Sequence, residues 1–482
     1  MSYGFSVDAA VLLGGILLIV GVVASGLAAR FRVPSLLLFL GLGMIVADDG
    51  LGIVRFDDAT LAQNIAAVAL VVILFEGGLG TDRHAFRAVG FPAGALATVG
   101  VVITALVVAG FTTAVLGWEF TDALLLGSVV ASTDAAAVFA SLRTESLPRR
   151  TMRLLQLESG MNDPVAVFLT VGMVEVWRSD PDIADWALFL LRQLGGGIAV
   201  GVVVGMLGRR FLDSNAATVA SSAAVLTLAI AGVSYGVAAV SGASGFLAVY
   251  LTGVVLARTE RKVRGVLLFH ESLASTAQGV LFLLLGILVF PSELIDDLGI
   301  SIPVALILIV LARPLAVIAI LAWSRTPIQR MTVISWAGLR GAVPVVLATI
   351  PFTAGHPRGS VIFDVTFVVV VLSVAIQAPT VGTLARKLGV NEPADVQVAA
   401  ETVPVDSIDA ELVELTIPAG SRLIGRTVGA NPPPADAHIV LIRRNDETIV
   451  PSRRTRFRSD DHLLLVAPRT GEISEIELWT GT

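Results

Sequence analysis

Long apolar segments separated by short polar loops dominate the chain as far as about residue 385. A membrane-spanning helix needs about 20 predominantly apolar residues, and thirteen segments of roughly that length can be drawn. They lie near residues 8–28, 33–48, 62–80, 90–116, 121–140, 154–176, 185–207, 216–239, 244–257, 268–290, 299–323, 333–353 and 361–385. The second and ninth are short, as half-buried or broken helices are. The pattern predicts an all-α polytopic membrane domain of about 13 transmembrane helices.

Beyond Val390 the pattern changes to short alternating apolar runs among Pro, Asp and Glu residues. Such alternation predicts β-strands. The predicted strands are 411–418, 437–442 and 461–466, with a turn at 443–447. With a short helix between strands, they would form a small, mostly β, α/β domain. The predicted organisation is a membrane domain at 1–390, a linker at 391–404 and a cytosolic domain at 405–482.

Composition agrees with a membrane protein, since 55% of the 482 residues are hydrophobic, 15% are charged and the mean hydropathy is +0.85. The net charge of −6 and the lack of a basic run argue against a nucleic-acid partner. With zero cysteines, thiol catalysis and cysteine-based metal sites are excluded. The sequence has no Walker motif, GxGxxG turn or HExxH motif. We therefore expect neither an enzyme nor an ATP-driven pump, and no cofactor.

Basic residues in the loops predict the orientation. Alternate loops, beginning with the one after the first segment, carry most of the Lys and Arg residues, whereas the opposite loops hold only Arg55, Arg178 and Arg358. Under the positive-inside rule, the basic loops and the C-terminus lie in the cytoplasm and the N-terminus outside. No cleavable signal peptide is expected, because the first segment carries Asp8 and no Lys or Arg precedes it.

The sixth segment contains Glu158-Ser-Gly-Met-Asn-Asp-Pro164 in apolar surroundings. A charged group in hydrocarbon costs several kcal/mol unless it is paired, hydrated or neutralised. Asp163 is the favoured functional residue, because one carboxylate can hold a proton or a monovalent cation but hardly both. Ser159 shares its helical face. Glu158 lies about 140° away and is predicted to pair with Arg340, with Arg313 as the alternative.

Further polar residues lie inside other segments. Thr133 offers a hydroxyl and a carbonyl to a cation, and Asp134 is either a ligand or a partner of a helix dipole. Glu76 is either a vestibule residue or part of a solvated helix end. Asn162 could cap a broken helix or donate to a carboxylate. Gln278 could line a cavity, but a bond between helices is favoured.

The fifth and twelfth segments lie seven apart, and both combine a charged residue near mid-span with helix-breaking residues. Broken helices at corresponding positions of two inverted halves mark the binding site of many transporters. The pair therefore indicates an inverted repeat. Glycines between Gly195 and Gly208 recur at a spacing that is typical of close helix packing or a dimer contact.

At these residues the chain resembles the monovalent cation/proton antiporters of the first cation–proton antiporter family, the sodium/proton exchanger-like proteins of bacteria and archaea. The matching motifs are ESGMNDPVAVF, STDAAAVF, FEGGL and GLRGAVP, which start at residues 158, 132, 75 and 338. The resemblance covers about residues 8–390. It implies a homodimer in the cell membrane, whose subunits have inverted repeats, a mobile ion domain and two unwound helices that cross.

The same resemblance implies roles for individual residues. Asp163 would be the proton and cation carrier, with Thr133, Ser159 and possibly Glu76 as ligands. Asn162 and Asp134 would lie with the crossing helices, and Glu158 with Arg340 would be the family's structural ion pair. Asparagine rather than aspartate before Asp163 implies electroneutral exchange.

Residues 405–470 resemble the C-terminal lobe of potassium-transport regulatory domains. The lobe implies a small-molecule regulator or a dimer contact, and it favours potassium as the substrate. The sequence therefore predicts secondary active antiport of potassium or sodium against protons. The alternative is a gated monovalent cation channel with a cytosolic regulatory domain, although no selectivity-filter loop is present.

Overall fold

The structure, a computed structural model, consists of two compact units, Met1–Glu392 and Pro393–Thr482. It describes most residues of 12–23, all of 35–53, 59–81, 83–134, 147–179, 182–213, 220–257, 263–390, 401–405, 410–434, 437–444 and 447–468, and residues 138, 476, 479 and 480. Most of the first predicted span, 8–28, lies outside these residues or at their margin.

The described part of the first unit is helical. In chain order its helices are α1 Ser35–Val46, α2 Ala59–Leu79, α3 Arg83–Ala95, α4 Val101–Leu116, α5 Phe120–Val130, α6 Arg149–Ser179, α7 Ile183–Leu190, α8 Gly196–Asp213, α9 Ala220–Val240, α10 Gly245–Leu256, α11 Val263–Leu288, α12 Pro291–Ile307, α13 Arg313–Leu321, α14 Ile328–Trp336, α15 Ala342–Thr353, α16 Gly359–Leu372 and α17 Ala378–Lys387. The π-helical turns Leu96–Gly100, Leu191–Gly195, Leu308–Ala312 and Ser373–Gln377 join α3 to α4, α7 to α8, α12 to α13 and α16 to α17.

Among the described residues, 7 continuous helices are long and apolar enough to cross a membrane. Helices α1, α5, α10 and α15 are apolar but shorter. Helix α6 has 31 residues and carries the polar stretch that contains Asp163. These elements match the predicted segments from the second to the thirteenth, and they confirm the polytopic helical fold.

Two close helix crossings show the inverted repeat directly. In the first, α1 packs on α11, and a methyl group added at Gly286 would lie 2.9 Å from the Cα atom of Gly43. In the second, α10 packs on α2, and a methyl group at Gly253 would lie 3.0 Å from the Cα atom of Gly78. Helices α1 and α10 are the second and ninth spans, and α2 and α11 are the third and tenth. The two crossings are therefore equivalent under an offset of seven spans.

The glycine face of α8 packs within the same chain. A methyl group at Gly201 would lie 2.6 Å from the carbonyl oxygen of Ala248, and one at Gly197 would lie 3.0 Å from that of Ser244. Both contacts are with α10 or its N-cap residue. Of the two interpretations of these glycines, close helix packing is the one that the structure shows.

The second unit contains one antiparallel sheet in the order β1-β2-β5-β3-β4. Its strands are β1 Glu401–Val405, β2 Ala410–Thr416, β3 His438–Arg444, β4 Glu447–Ile449 and β5 His462–Pro468. The three predicted strands correspond to β2, β3 and β5. Strand β1 lies at the end of the predicted linker, and residues 417–434 form turns where the sequence predicted a short helix.

One buried ion pair connects two strands of this sheet region. Arg444 donates from Nε and Nη2 to the two carboxylate oxygens of Asp461, at 2.6 and 2.7 Å. Asp461 is completely buried, and its interaction raises the pKa of Arg444. Because both oxygens are engaged, the pair orders the end of β3 against the residue that precedes β5.

Substitution of Gly286 by alanine should destabilise the membrane unit. The added methyl group would collide with the backbone of α1, so the two helices must separate at a cost of about 1–3 kcal/mol. A lower midpoint of thermal unfolding in detergent would show this. Gly232→Ala is the matched control, since a methyl group there has no heavy atom within 4 Å. Equal midpoints for the two variants would contradict the crossing.

Candidate ion-binding site

Two helices are interrupted where they meet inside the membrane unit. Helix α5 ends at Val130, and residues 132–134 leave the helical conformation. Helix α14 ends at Trp336, and residues 338–341 are irregular before α15 begins. The backbone N–H of Asp134 donates to the carbonyl oxygen of Leu339 at 2.7 Å. The two breaks therefore cross, as the sequence predicted for the fifth and twelfth spans.

Each break carries a charge that stabilises the helix end of the other. Arg340, which is 1% exposed, donates from Nη1 to the carbonyl oxygens of Ala131 and Ser132 at the C-terminus of α5. The carboxylate of Asp134 occupies the space beside Gly341, immediately before α15. Cations stabilise the C-terminus of a helix and anions its N-terminus. Asp134 is thus placed as a helix-dipole partner, and Gln278 on α11 donates to its Oδ2 at 2.9 Å.

Helix α6 presents Asp163 to the first break. Asp163 is 7% exposed, and the hydroxyl group of Ser132 donates to its Oδ1. No cationic side chain pairs with Asp163 in the part of the chain that the structure describes. Its negative charge is therefore left to be neutralised by a proton or a small cation.

Oxygen atoms of neighbouring residues surround this carboxylate. Ser159 donates to the carbonyl oxygen of Thr133 at 2.9 Å, and the Asn162 amide donates to the Thr133 hydroxyl at 2.6 Å. The Oδ1 atom of Asn162 is buried and has no hydrogen-bond partner among the described residues. Carboxylate, hydroxyl, carbonyl and amide oxygens are the ligands that hard metal cations prefer. The site has the donor set of a monovalent cation site.

The partner of Glu158 is Arg313, and the prediction that it pairs with Arg340 was wrong. Arg313 donates from Nη2 to Oε2 of Glu158 at 2.9 Å, and its Nη1 contacts Oε1. Both residues are almost completely buried, at 3% and 1% exposure. Arg340 is unavailable because its guanidinium group binds the end of α5. Gly338 leaves room for Arg313, since a methyl group there would lie 3.1 Å from Cζ.

Glu76 lies on α2 and is half-buried. Its charged neighbour is Glu271 on α11. In the described residues, no hydrogen bond or ion pair connects Glu76 with Asp163. The structure therefore does not bring Glu76 together with the other predicted ligands, and its role as a ligand stays a prediction.

Comparisons with known proteins agree with this arrangement. Residues 14–387 match the family described as sodium/hydrogen exchanger, transmembrane, and residues 412–477 match the TrkA-C domain. The K(+)/H(+) antiporter NhaP of Alkalimonas amylolytica is 35% identical over 96% of this chain and 81% of its own length. NhaP2 of Shewanella baltica is 34% identical with the same coverage of both chains. The chain belongs to the sodium/hydrogen exchanger family.

Solved structures show the same exchanger fold. The sodium proton antiporter MjNhaP1 from Methanocaldococcus jannaschii at pH 8 aligns with a TM-score of 0.66 and 24% identity, over 78% of this chain and 97% of that one. An electron-microscopy structure of MjNhaP1 gives a TM-score of 0.69. The likeness confirms the architecture that surrounds the crossing breaks of this exchanger.

The sequence missed one residue of the exchanger's site and found most of the others. Ser132 is the residue that hydrogen-bonds Asp163, yet only Thr133 was predicted as a ligand from the same motif. Consecutive residues of an irregular segment point in different directions, and the sequence does not show which one faces α6. For Gln278, the favoured interpretation, a bond between helices, agrees with its contact to Asp134.

A double-mutant cycle should show that Glu158 is energetically coupled to Arg313. Glu158→Gln alone and Arg313→Gln alone each leave a buried charge without its partner, at a cost of about 3–5 kcal/mol. The combined variant should lose much less than the sum of the two. Thermal unfolding in detergent measures the coupling. The control cycle, Glu158→Gln with Arg340→Gln, should be close to additive, and a larger coupling there would refute the assignment.

Proposed function

We propose that this exchanger is a secondary active antiporter that moves potassium, or sodium, out of the cytoplasm in exchange for protons. The observation that carries the proposal is Asp163, a buried carboxylate with a hydroxyl donor and without a cationic partner among the described residues. A single carboxylate binds a proton or a cation in turn. Alternating exposure of the two occupied forms couples the two fluxes.

One charge at the site implies exchange of one proton for one cation. Asn162, beside Asp163, is neutral and donates to Thr133. Glu158 and Asp134 are engaged by Arg313 and Gln278, which leaves Asp163 as the carrier. We therefore propose electroneutral exchange, in which the carrier site is neutral with either ion bound.

The proposed cation ligands are Asp163, Thr133 and Ser159, with the unpartnered Oδ1 of Asn162 as a further oxygen. These atoms lie on α6 and on the break that follows α5. A small relative movement of the two elements would change the number of oxygens that face Asp163. Glu76, on a different helix, is proposed as a vestibule residue that attracts cations to the site. No cofactor takes part.

Potassium is the proposed main substrate. The relatives named K(+)/H(+) antiporters match 96% of this chain and hence include the C-terminal domain. The Na(+)/H(+) antiporter NhaP of Pseudomonas aeruginosa is 27% identical and matches 67% of this chain. Presence of the C-terminal domain in the potassium-named relatives supports a potassium substrate here.

The remaining proposals concern the setting of the exchanger. The basic loops support a cytoplasmic C-terminus and an outer N-terminus in a bacterial or archaeal cell membrane. Homodimerisation is proposed from the family resemblance. The C-terminal sheet domain is proposed as a cytosolic regulatory domain that binds a small molecule.

Asp163→Asn should abolish exchange, because an amide neither binds a proton nor neutralises a cation. Proteoliposomes with a pH gradient and an internal pH-sensitive dye would report proton flux on addition of K⁺ or Na⁺ in turn. We expect a response in the wild type, larger with K⁺, and none in the variant. Asp213→Asn, at an exposed pair with Arg209, should behave as the wild type. Retained exchange in Asp163→Asn would exclude the mechanism, and cation flux without proton coupling would favour a channel.

Ser132→Ala should weaken cation binding without abolishing transport. The hydroxyl group stabilises the ionised carboxylate, and a hydrogen bond to a charged group contributes about 1.5–3 kcal/mol. The apparent KM for the cation should rise about tenfold or more, with the largest effect at low pH, where protons compete. Ser128→Ala is the matched control, since this buried serine donates only to Leu124 of its own helix. An unchanged KM in Ser132→Ala would contradict the contact.

A further inference from the structure

A cavity of about 100 Å³ lies at the end of the membrane unit where α6 and α14 begin and α13 ends. Its lining comes from α3, α6, α13, α14 and the turn between the last two. This end belongs to the loops rich in arginine. None of the residues assigned to the ion site lines the cavity, so it is a separate feature.

Three arginines line the cavity: Arg150 on α6, Arg325 in the turn and Arg330 on α14. None of them has an acidic partner among the residues that the structure describes. Three unpaired guanidinium groups around one small space repel one another. An anion with several oxygens would relieve this repulsion and accept their hydrogen bonds.

Two uncharged groups also favour an anion. Thr151 lines the cavity, and its hydroxyl group is buried without a hydrogen-bond partner. The N-terminus of α14 lies there too, and its N-cap, Pro327, provides no side-chain hydrogen bond. The first turn of α14 contains no acidic residue. Free backbone N–H groups at a helix N-terminus bind phosphate readily.

The other walls of the cavity are apolar. Pro92, Leu154 and Leu321 line it from three different helices. Trp323, beside the lining residue Ser324, is 93% exposed, and tryptophan concentrates at the membrane–water interface. A free phosphate ion has no use for apolar walls, whereas a phospholipid brings glycerol and acyl chains to them. Basic pockets between membrane helices bind anionic headgroups in this way.

We propose that this cavity binds the phosphate group of an anionic phospholipid. The phosphate diester contacts the three arginines and the Thr151 hydroxyl, while its glycerol backbone lies on the apolar walls. The lipid would connect α6, which carries Asp163, with α13 and α14, which carry Arg313 and lead into the second break. Binding is independent of the proposed transport function and can be measured without it.

Native mass spectrometry of the purified full-length chain tests the proposal. The protein is incubated in detergent with phosphatidylglycerol or with phosphatidylcholine, and the retained lipid is counted. We expect the wild type to retain phosphatidylglycerol and Arg150→Gln/Arg330→Gln to bind it about tenfold more weakly. Arg149→Gln/Arg209→Gln removes the same charge from exposed positions outside the cavity and should bind as the wild type.

Further arms separate the alternatives. Thr151→Val keeps the side-chain volume and should also weaken phosphatidylglycerol binding, and thermal unfolding shows whether each variant is folded. Equal binding of phosphatidylglycerol by the wild type and the double arginine variant would overturn the proposal. So would equal retention of phosphatidylcholine by the wild type. Displacement of the lipid by millimolar inorganic phosphate would identify a free-phosphate site instead.

Discussion

The fold depends on how two interrupted helices satisfy their own ends inside a membrane. An unpaired backbone polar group in hydrocarbon costs several kcal/mol, so a break is stable only where other groups replace the missing helical bonds. Here the two breaks provide them for each other. Arg340 binds the carbonyl groups at the end of α5, Asp134 N–H binds Leu339, and the Asp134 carboxylate lies at the start of α15. Neither break would be stable without the other.

This mutual arrangement determines which charge remains available for transport. Arg340 and Asp134 are engaged in holding the crossing, and Glu158 is engaged by Arg313. A cation paired with Asp163 would compete with the transported ion. The structure keeps both buried arginines on other acceptors, although they lie on elements that pack around the same crossing. The ion pair of Glu158 and Arg313 thus serves the site by holding its charges away from Asp163.

The sequence predicted the parts of the site that depend on composition along one helix. Asp163 was evident because it is a carboxylate in an apolar span, and the crossing breaks because two spans seven apart combine charge with helix-breaking residues. The partner of Glu158 was not evident. Helical spacing shows only that Glu158 points away from Asp163, and two buried arginines in other spans fit that direction equally well. Only three-dimensional packing distinguishes between Arg313 and Arg340.

The π-helical turns explain why helical spacing is insufficient here. A π turn inserts one residue into a helix and rotates everything that follows by about 100°. Arg313 directly follows the turn Leu308–Ala312, so a regular helix would direct its side chain away from Glu158. Ser373 begins another π turn, donates to Gln377 within it at 2.7 Å and accepts the backbone N–H of Arg340 at 3.0 Å. The π turns therefore place both arginines, one by its side chain and one by its backbone.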